Sequence, residues 1–203
     1  MKMKKQLAII LLVLVSFSGF AQITLDKGYY INNDNQKIEC LIRNLDWANN
    51  PSSFEYKLSE NSELKTITIK EVKEFGVYNF SKYQRATVNI DRSSNNTNEL
   101  TSNRNVKFKE EELFLKVLVE GEAVLYSYHN GNTSRFFFKK ENSEINQLIY
   151  KRYFATPNQI GENNRYQQQL WNDLKCQKVS IKDVEKLNYK AQKLINLDRK
   201  SVV

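Results

Sequence analysis

Histidine occurs once in the 203 residues, cysteine and proline twice each, and glycine six times. Each scarcity removes a class of chemistry. A Ser–His–Asp or Cys–His arrangement needs a histidine to carry the proton, and here it would rest entirely on His129, in a predicted hairpin turn where the ring faces solvent. Zinc sites need Cys or His in closely spaced pairs, whereas Cys40 and Cys176 stand far apart. The glycines at 28, 76, 121, 131 and 161 form neither GxxxxGK[ST] nor GxGxxG, so no nucleotide-phosphate cradle and no cofactor are expected. A focused basic face is lacking too. Charge interleaves, as in Lys70-Glu71-Val72-Lys73-Glu74, which argues against nucleic acid as a partner.

Long apolar runs are confined to the N-terminus. Lys2, Lys4 and Lys5 precede the uninterrupted Leu7–Val15 stretch, and Gly19-Phe20-Ala21 sets small residues at −3 and −1 of a cut between Ala21 and Gln22. That layout reads as a secretory signal peptide over 1–21. Leu7–Phe20 is too short for a span of about 20 apolar residues, and no cysteine lies at the cut for lipid attachment. Export is therefore the expectation. Three lysines leave with the signal, so the basic count falls from 31 to 28 against 23 acidic residues and the net charge from +8 to +5.

The other end is read as foreign. Asp198-Arg199-Lys200-Ser201-Val202-Val203 is what GAT-CGG-AAG-AGC-GTC-GTG, a common sequencing-adapter read, encodes, and it is expected to break a helical segment. On this reading 198–203 is an artefact and the natural chain continues past Leu197. Between the two ends, 22–197 carries a net charge of +4, since Asp198, Arg199 and Lys200 also drop out.

The fold class expected for the mature chain is α+β: a β-rich antiparallel module of hairpins and meander over 22–155, then a small helical region over 156–197. Ile38, Cys40 and Ile42 alternate, as do Phe54, Tyr56 and Leu58, which marks half-buried strands. Ile69, Val72 and Phe75 shift to a spacing of three and suggest a helical turn, with a strand over 77–80. Ala86–Ile90, Leu113–Val119, Ala123–Tyr128 and Arg135–Phe138 read as further strands, the last two joined by a tight turn around Asn130-Gly131. Ser93–Asn105 is polar and aperiodic, and is expected to be a mobile loop. Ile145, Leu148 and Ile149 suit either element, and Pro157 marks a break. Tyr166, Leu170 and Leu174 stack on one helical face with Trp171 beside them. Ser180 then caps a second helix with Asp183 in its first turn.

Few residues are candidates for chemistry. An exported chain permits a disulfide, which leaves Cys40–Cys176 as a possible pair against a simple buried thiol at Cys40. Asp34, Asp46 and Glu110-Glu111-Glu112 could supply paired carboxylates for glycosidase-type hydrolysis if the fold set two face to face. The eleven tyrosines and eleven phenylalanines mostly alternate along strands, as core residues do, although loop-borne aromatics would suit a glycan- or peptide-binding face.

Several runs carry a resemblance: Lys27-Gly28-Tyr29-Tyr30-Ile31, Glu39-Cys40, Asn44-Leu45-Asp46-Trp47 and Phe54-Glu55-Tyr56-Lys57-Leu58. Later ones are Val72-Lys73-Glu74-Phe75-Gly76-Val77-Tyr78, Leu113–Gly121 and Asn172-Asp173-Leu174-Lys175-Cys176. Across nearly all of 22–197 the chain resembles uncharacterised exported proteins of flavobacterium-like Gram-negative bacteria. In longer members such a region precedes an outer-membrane β-barrel. The resemblance implies a periplasmic or surface module whose partners are a barrel lost by truncation or other envelope components, and it brings no catalytic residues. The leading expectation is thus a non-enzymatic exported envelope module, ahead of a secreted glycan- or peptide-binding domain and a carboxylate-pair hydrolase.

Overall fold

The computed structural model describes residues 24–121, 123–140, 143–174 and 179–202, with side chains described as far as Leu197. The signal segment, its cut between Ala21 and Gln22, and Cys176 lie outside the described residues.

Among the described residues, ten strands form one antiparallel sheet: β1 (Leu25–Asn32), β2 (Lys37–Arg43), β3 (Ser53–Lys57), β4 (Lys65–Thr68), β5 (Val72–Val77), β6 (Ser81–Asp91), β7 (Phe108–Val119), β8 (Ala123–Asn130), β9 (Thr133–Lys140) and β10 (Asn146–Gln147). Their spatial order is β10-β9-β8-β7-β6-β5-β1-β2-β3-β4, two meanders joined where β1 pairs with β5. A second hairpin pairs β11 (Lys151–Thr156) with β12 (Gln159–Asn163). Three helices follow, α1 (Arg165–Leu174), α2 (Ile181–Glu185) and α3 (Ala191–Val202). The α+β class read from the sequence is the class observed.

Period-2 alternation in β6 to β9 sends two sets of apolar side chains to opposite faces. Tyr83 and Phe114 share one face with Tyr30, Ile42, Phe54 and Phe75, and the sheet curls around this aromatic core. Val88, Ile90, Leu115, Tyr126, Tyr128 and Phe137 occupy the other face and form a second core. There the sheet bends back until β10 reaches β6, where the Asp91 amide donates to Gln147 Oε1 at 2.8 Å. The helices cover Leu125, Phe136 and Phe138 with Tyr166, Leu170, Val184 and Leu194, and Leu187 joins them from the link between α2 and α3. Phe136, Phe137 and Phe138 are consecutive yet all buried because β9 has protein on both faces.

Several local expectations change. Val72 and Phe75 lie on strand β5, not on a helical turn, and Tyr78–Phe80 is the turn into β6 with Asn79 at φ 63°. The spacing of three comes from a bulge, since Ile31 opposes Glu74 while Asn32 opposes Val72. The β8–β9 turn falls one residue later than the Asn-Gly signal suggests. Asn130 pairs with Thr133, and Gly131 takes the first turn position at φ 55°. Gly28 is required by proximity, because a Cβ there would sit 2.4 Å from the Gly76 carbonyl oxygen. The β11–β12 hairpin straddles residue 155, with Pro157 in its turn, so helix begins only at Arg165. Helix α3 runs on to Val202, so 198–202 does not interrupt it; aspartate, arginine, lysine and serine all have workable helix propensity.

Candidate functional site

The polar segment between β6 and β7, expected from its composition to be a mobile loop, is tied to other elements by hydrogen bonds. Residues 92–107 form a strap, with one 3-10 turn at Thr97–Glu99, held by hydrogen bonds from other elements. The Arg152 and Phe154 amides donate to Asn95 Oδ1 and the Thr101 carbonyl at 3.1 and 2.9 Å. Lys151 Nζ, on a residue 4 % exposed, donates to the Asn105 carbonyl at 2.8 Å, and Asn163 Nδ2 donates to that of Arg104 at 3.1 Å. Apolar burial is not what orders this segment. Buried donors on β11 and β12 need acceptors, and the strap's carbonyls supply them.

The strap is rooted in a buried polar node. Arg135, fully buried on β9, donates from Nε to the Asp91 carbonyl at 2.8 Å and from Nη2 to the Ser93 carbonyl. Its Nη2 also lies 3.4 Å from the Asp91 carboxylate, whose other oxygen accepts the Lys107 amide at 3.2 Å. Asp91 therefore touches both ends of the strap, since Ser93 Oγ donates to it as well. Gln147 Nε2 is buried beside this node without a hydrogen-bond partner.

The far end of the strap forms one wall of a groove of about 550 Å³. Its lining brings Arg104 and Asn105 of the strap together with Glu162 of β12, Arg165, Gln168 and Trp171 of α1, and Ile181 and Glu185 of α2. Trp171 is 39 % and Ile181 50 % exposed. Helix α1 aims Tyr166 and Leu170 into the core, which turns Trp171, one residue on, outward. Helix α2 starts with a reciprocal cap, in which the Asp183 amide donates to Ser180 Oγ at 3.3 Å and the Ser180 amide to Asp183 Oδ2 at 3.0 Å. The side chains of Arg104, Arg165, Gln168 and Trp171 make no hydrogen bond among the described residues. An adjoining cavity of about 530 Å³ shares Glu162, Asn164, Gln167 and Glu185 and adds Tyr150 and Tyr189. There Tyr150 donates to Glu162 Oε1 at 3.0 Å. Burial, reinforced by that carboxylate, pushes its hydroxyl up to about 12, so it stays a donor at neutral pH.

The residues singled out from the sequence do not converge. Exposed His129 is the penultimate residue of β8, and Asp34 and Asp46 occupy separate exposed loops. On β7, Glu111 meets Arg92 Nη2 at 2.6 Å, while Glu110 and Glu112 point to the other face. A pair that was not anticipated, Glu74 and Glu120, does converge on Lys82 Nζ at 3.3 and 2.8 Å. Among the described residues no group of three or more His, Cys, Asp or Glu could hold a metal ion, and no helix is long and apolar enough to cross a membrane.

Among the described residues Cys40 has no disulfide partner; it is 7 % exposed beside Ile42 in the aromatic core, and burial pushes its thiol up to about 12. Its proposed partner Cys176 lies outside the described residues. In a Cys176→Ser chain, Cys40 is expected to resist a thiolate-selective reagent while folded and to react within minutes in denaturant. Rapid native-state labelling, followed by mass spectrometry, would contradict its burial.

No family model matches this chain. No curated protein and no solved structure matches it either. The groove, rather than kinship, has to carry the functional reading.

Proposed function

We propose that this chain is a non-enzymatic, exported interaction module of the Gram-negative envelope. One observation carries the interaction role: the groove between strap and helices, where an exposed tryptophan, two arginines and an amide line one surface with no side-chain hydrogen bond among the described residues. Its size lies in the range of roughly 300–1,000 Å³ common for ligand sites. The dispersed carboxylates and the exposed lone histidine favour binding over catalysis.

The leader over 1–21 and the resemblance support the envelope location, ahead of an outer-membrane barrel or beside other envelope components. Expressed in a Gram-negative host, the protein is expected in the periplasmic or outer-membrane fraction with Gln22 as its first residue by mass spectrometry. A cytoplasmic product that starts at Met1 overturns the location. For the barrel link, the codons that follow Leu197 in the source genome should encode alternating strands of about ten residues; an unrelated continuation ends it.

A further inference from the structure

We propose that the groove binds a neutral, hydroxyl-rich glycan chain, with Trp171 as the platform on which one sugar ring stacks. This rests on reading the chain as an interaction module and names the ligand class of that same site. The apolar lining is narrow and centred on one indole: Trp171 is 39 % exposed, with Ile181 beside it and Val184 already buried. A pyranose presents a flat C–H face that suits such a platform, whereas a peptide helix needs several apolar anchors at successive turns.

Around the indole stand side chains whose chemistry matches hydroxyl groups. Asn105 and Gln168 each offer a donor and an acceptor, and the guanidinium forks of Arg104 and Arg165 can span neighbouring oxygens. A sugar hydroxyl both donates and accepts, so mixed amide and charged partners satisfy it more fully than a lining of one kind.

Charge decides between sugar classes. Arg104 and Arg165 are balanced by Glu162 and Glu185, so the groove creates no strong field for a polyanion. The charge balance holds for the groove itself; the adjoining cavity adds Lys186 and Lys190 beside Tyr150 and Tyr189.

The test is calorimetric titration of the purified chain with cellopentaose, maltopentaose, xylopentaose and mannopentaose, in parallel with polygalacturonate and a peptide library. At least one neutral oligosaccharide is expected to bind with Kd below about 1 mM. Trp171→Ala is expected to weaken it at least about tenfold, and Trp171→Phe less, because the ring is kept. Gln168→Ala, at an exposed position whose side chain makes no hydrogen bond among the described residues, should weaken binding severalfold with an unchanged circular dichroism spectrum. Equal binding by the wild type and both Trp171 variants overturns the proposal, as does binding of polygalacturonate alone. Binding confined to peptides and lost in Trp171→Ala also overturns it, but leaves the interaction reading standing. A flat response to every probe counts against both.

Discussion

Phe75→Ala is expected to remove about 3–5 kcal/mol of stability, the usual cost of deleting a fully buried aromatic side chain. Phe75 is wholly buried on β5 at the centre of an aromatic cluster. It stacks on Phe54 with ring centroids 4.2 Å apart and on Tyr83 at 4.9 Å. Phe114 and Trp47 meet it edge-on at 5.0 and 5.6 Å. Four rings from β3, β6, β7 and the loop after β2 therefore lose a partner at once, and a residue-sized void forms where strands from both meanders meet. A domain of this size has a net stability of only about 5–15 kcal/mol, so the loss is a large fraction of the total. Denaturant unfolding followed by circular dichroism measures it, with Phe80→Ala as control. Phe80 is 66 % exposed in the turn after β5, and its truncation should stay within about 0.5 kcal/mol. Equal effects from the two substitutions would refute the packing described for the first core.

Asp91→Ala is expected to cost a similar amount, about 3–5 kcal/mol, by a different route. Arg135 and the Asp91 side chain are 0 % and 2 % exposed, so removing the carboxylate leaves a guanidinium out of water without its counter-charge. The Asp91, Ser93 and Ser134 carbonyls still accept from Arg135, which keeps it hydrogen-bonded but not neutralised. The same substitution deletes the acceptor of the Lys107 amide and of Ser93 Oγ, freeing both ends of the strap. Hydrogen exchange should therefore show faster exchange across 93–107 than across β1 to β4. Replacing both partners, Arg135→Met with Asp91→Ala, should cost less than the sum of the two single changes, because no unpaired charge is left behind. Additive losses, or exchange that rises evenly through the sheet, would mean the node does not hold the strap.

These two sites differ in how far they could be read from the chain. The aromatic core was accessible because burial in a strand leaves a local trace. Ile38, Cys40 and Ile42 alternate on β2, and Phe54 and Tyr56 on β3, so one face reads as interior without any partner being known. Helices α1 and α2 were legible for the same reason, through a stripe at 166, 170 and 174 and a Ser–Asp cap. Where alternation is broken by geometry, local reading went astray. A bulge opposite β1 imitated helical spacing at Val72 and Phe75, and β11 and β12 carry too few apolar residues to announce themselves.

The groove and its strap left almost no signal. An asparagine- and serine-rich stretch reads as disordered because it has nothing apolar to bury. What orders it is distant in sequence: Arg135 on β9, and Lys151, Arg152 and Asn163 on the second hairpin. Arg135 offered a hint, as a charge that leads into three buried phenylalanines, but its partner 44 positions earlier could not be inferred. Trp171 likewise read as an addition to the core stripe, whereas one residue past Leu170 it turns outward into the groove.

The chain alone determined the α+β class, the main strands and helices, and the aromatic interior. These follow from periodicity, caps and composition, all set by neighbours within a few residues. Tertiary structure decided that the sheet curls both ways, that a polar strap is hydrogen-bonded to distant elements, and that Trp171, Arg104 and Arg165 share one groove. Those outcomes depend on hydrogen bonds and charge pairs between residues about 20 to 60 positions apart, whose energies exist only once the backbone has brought them together.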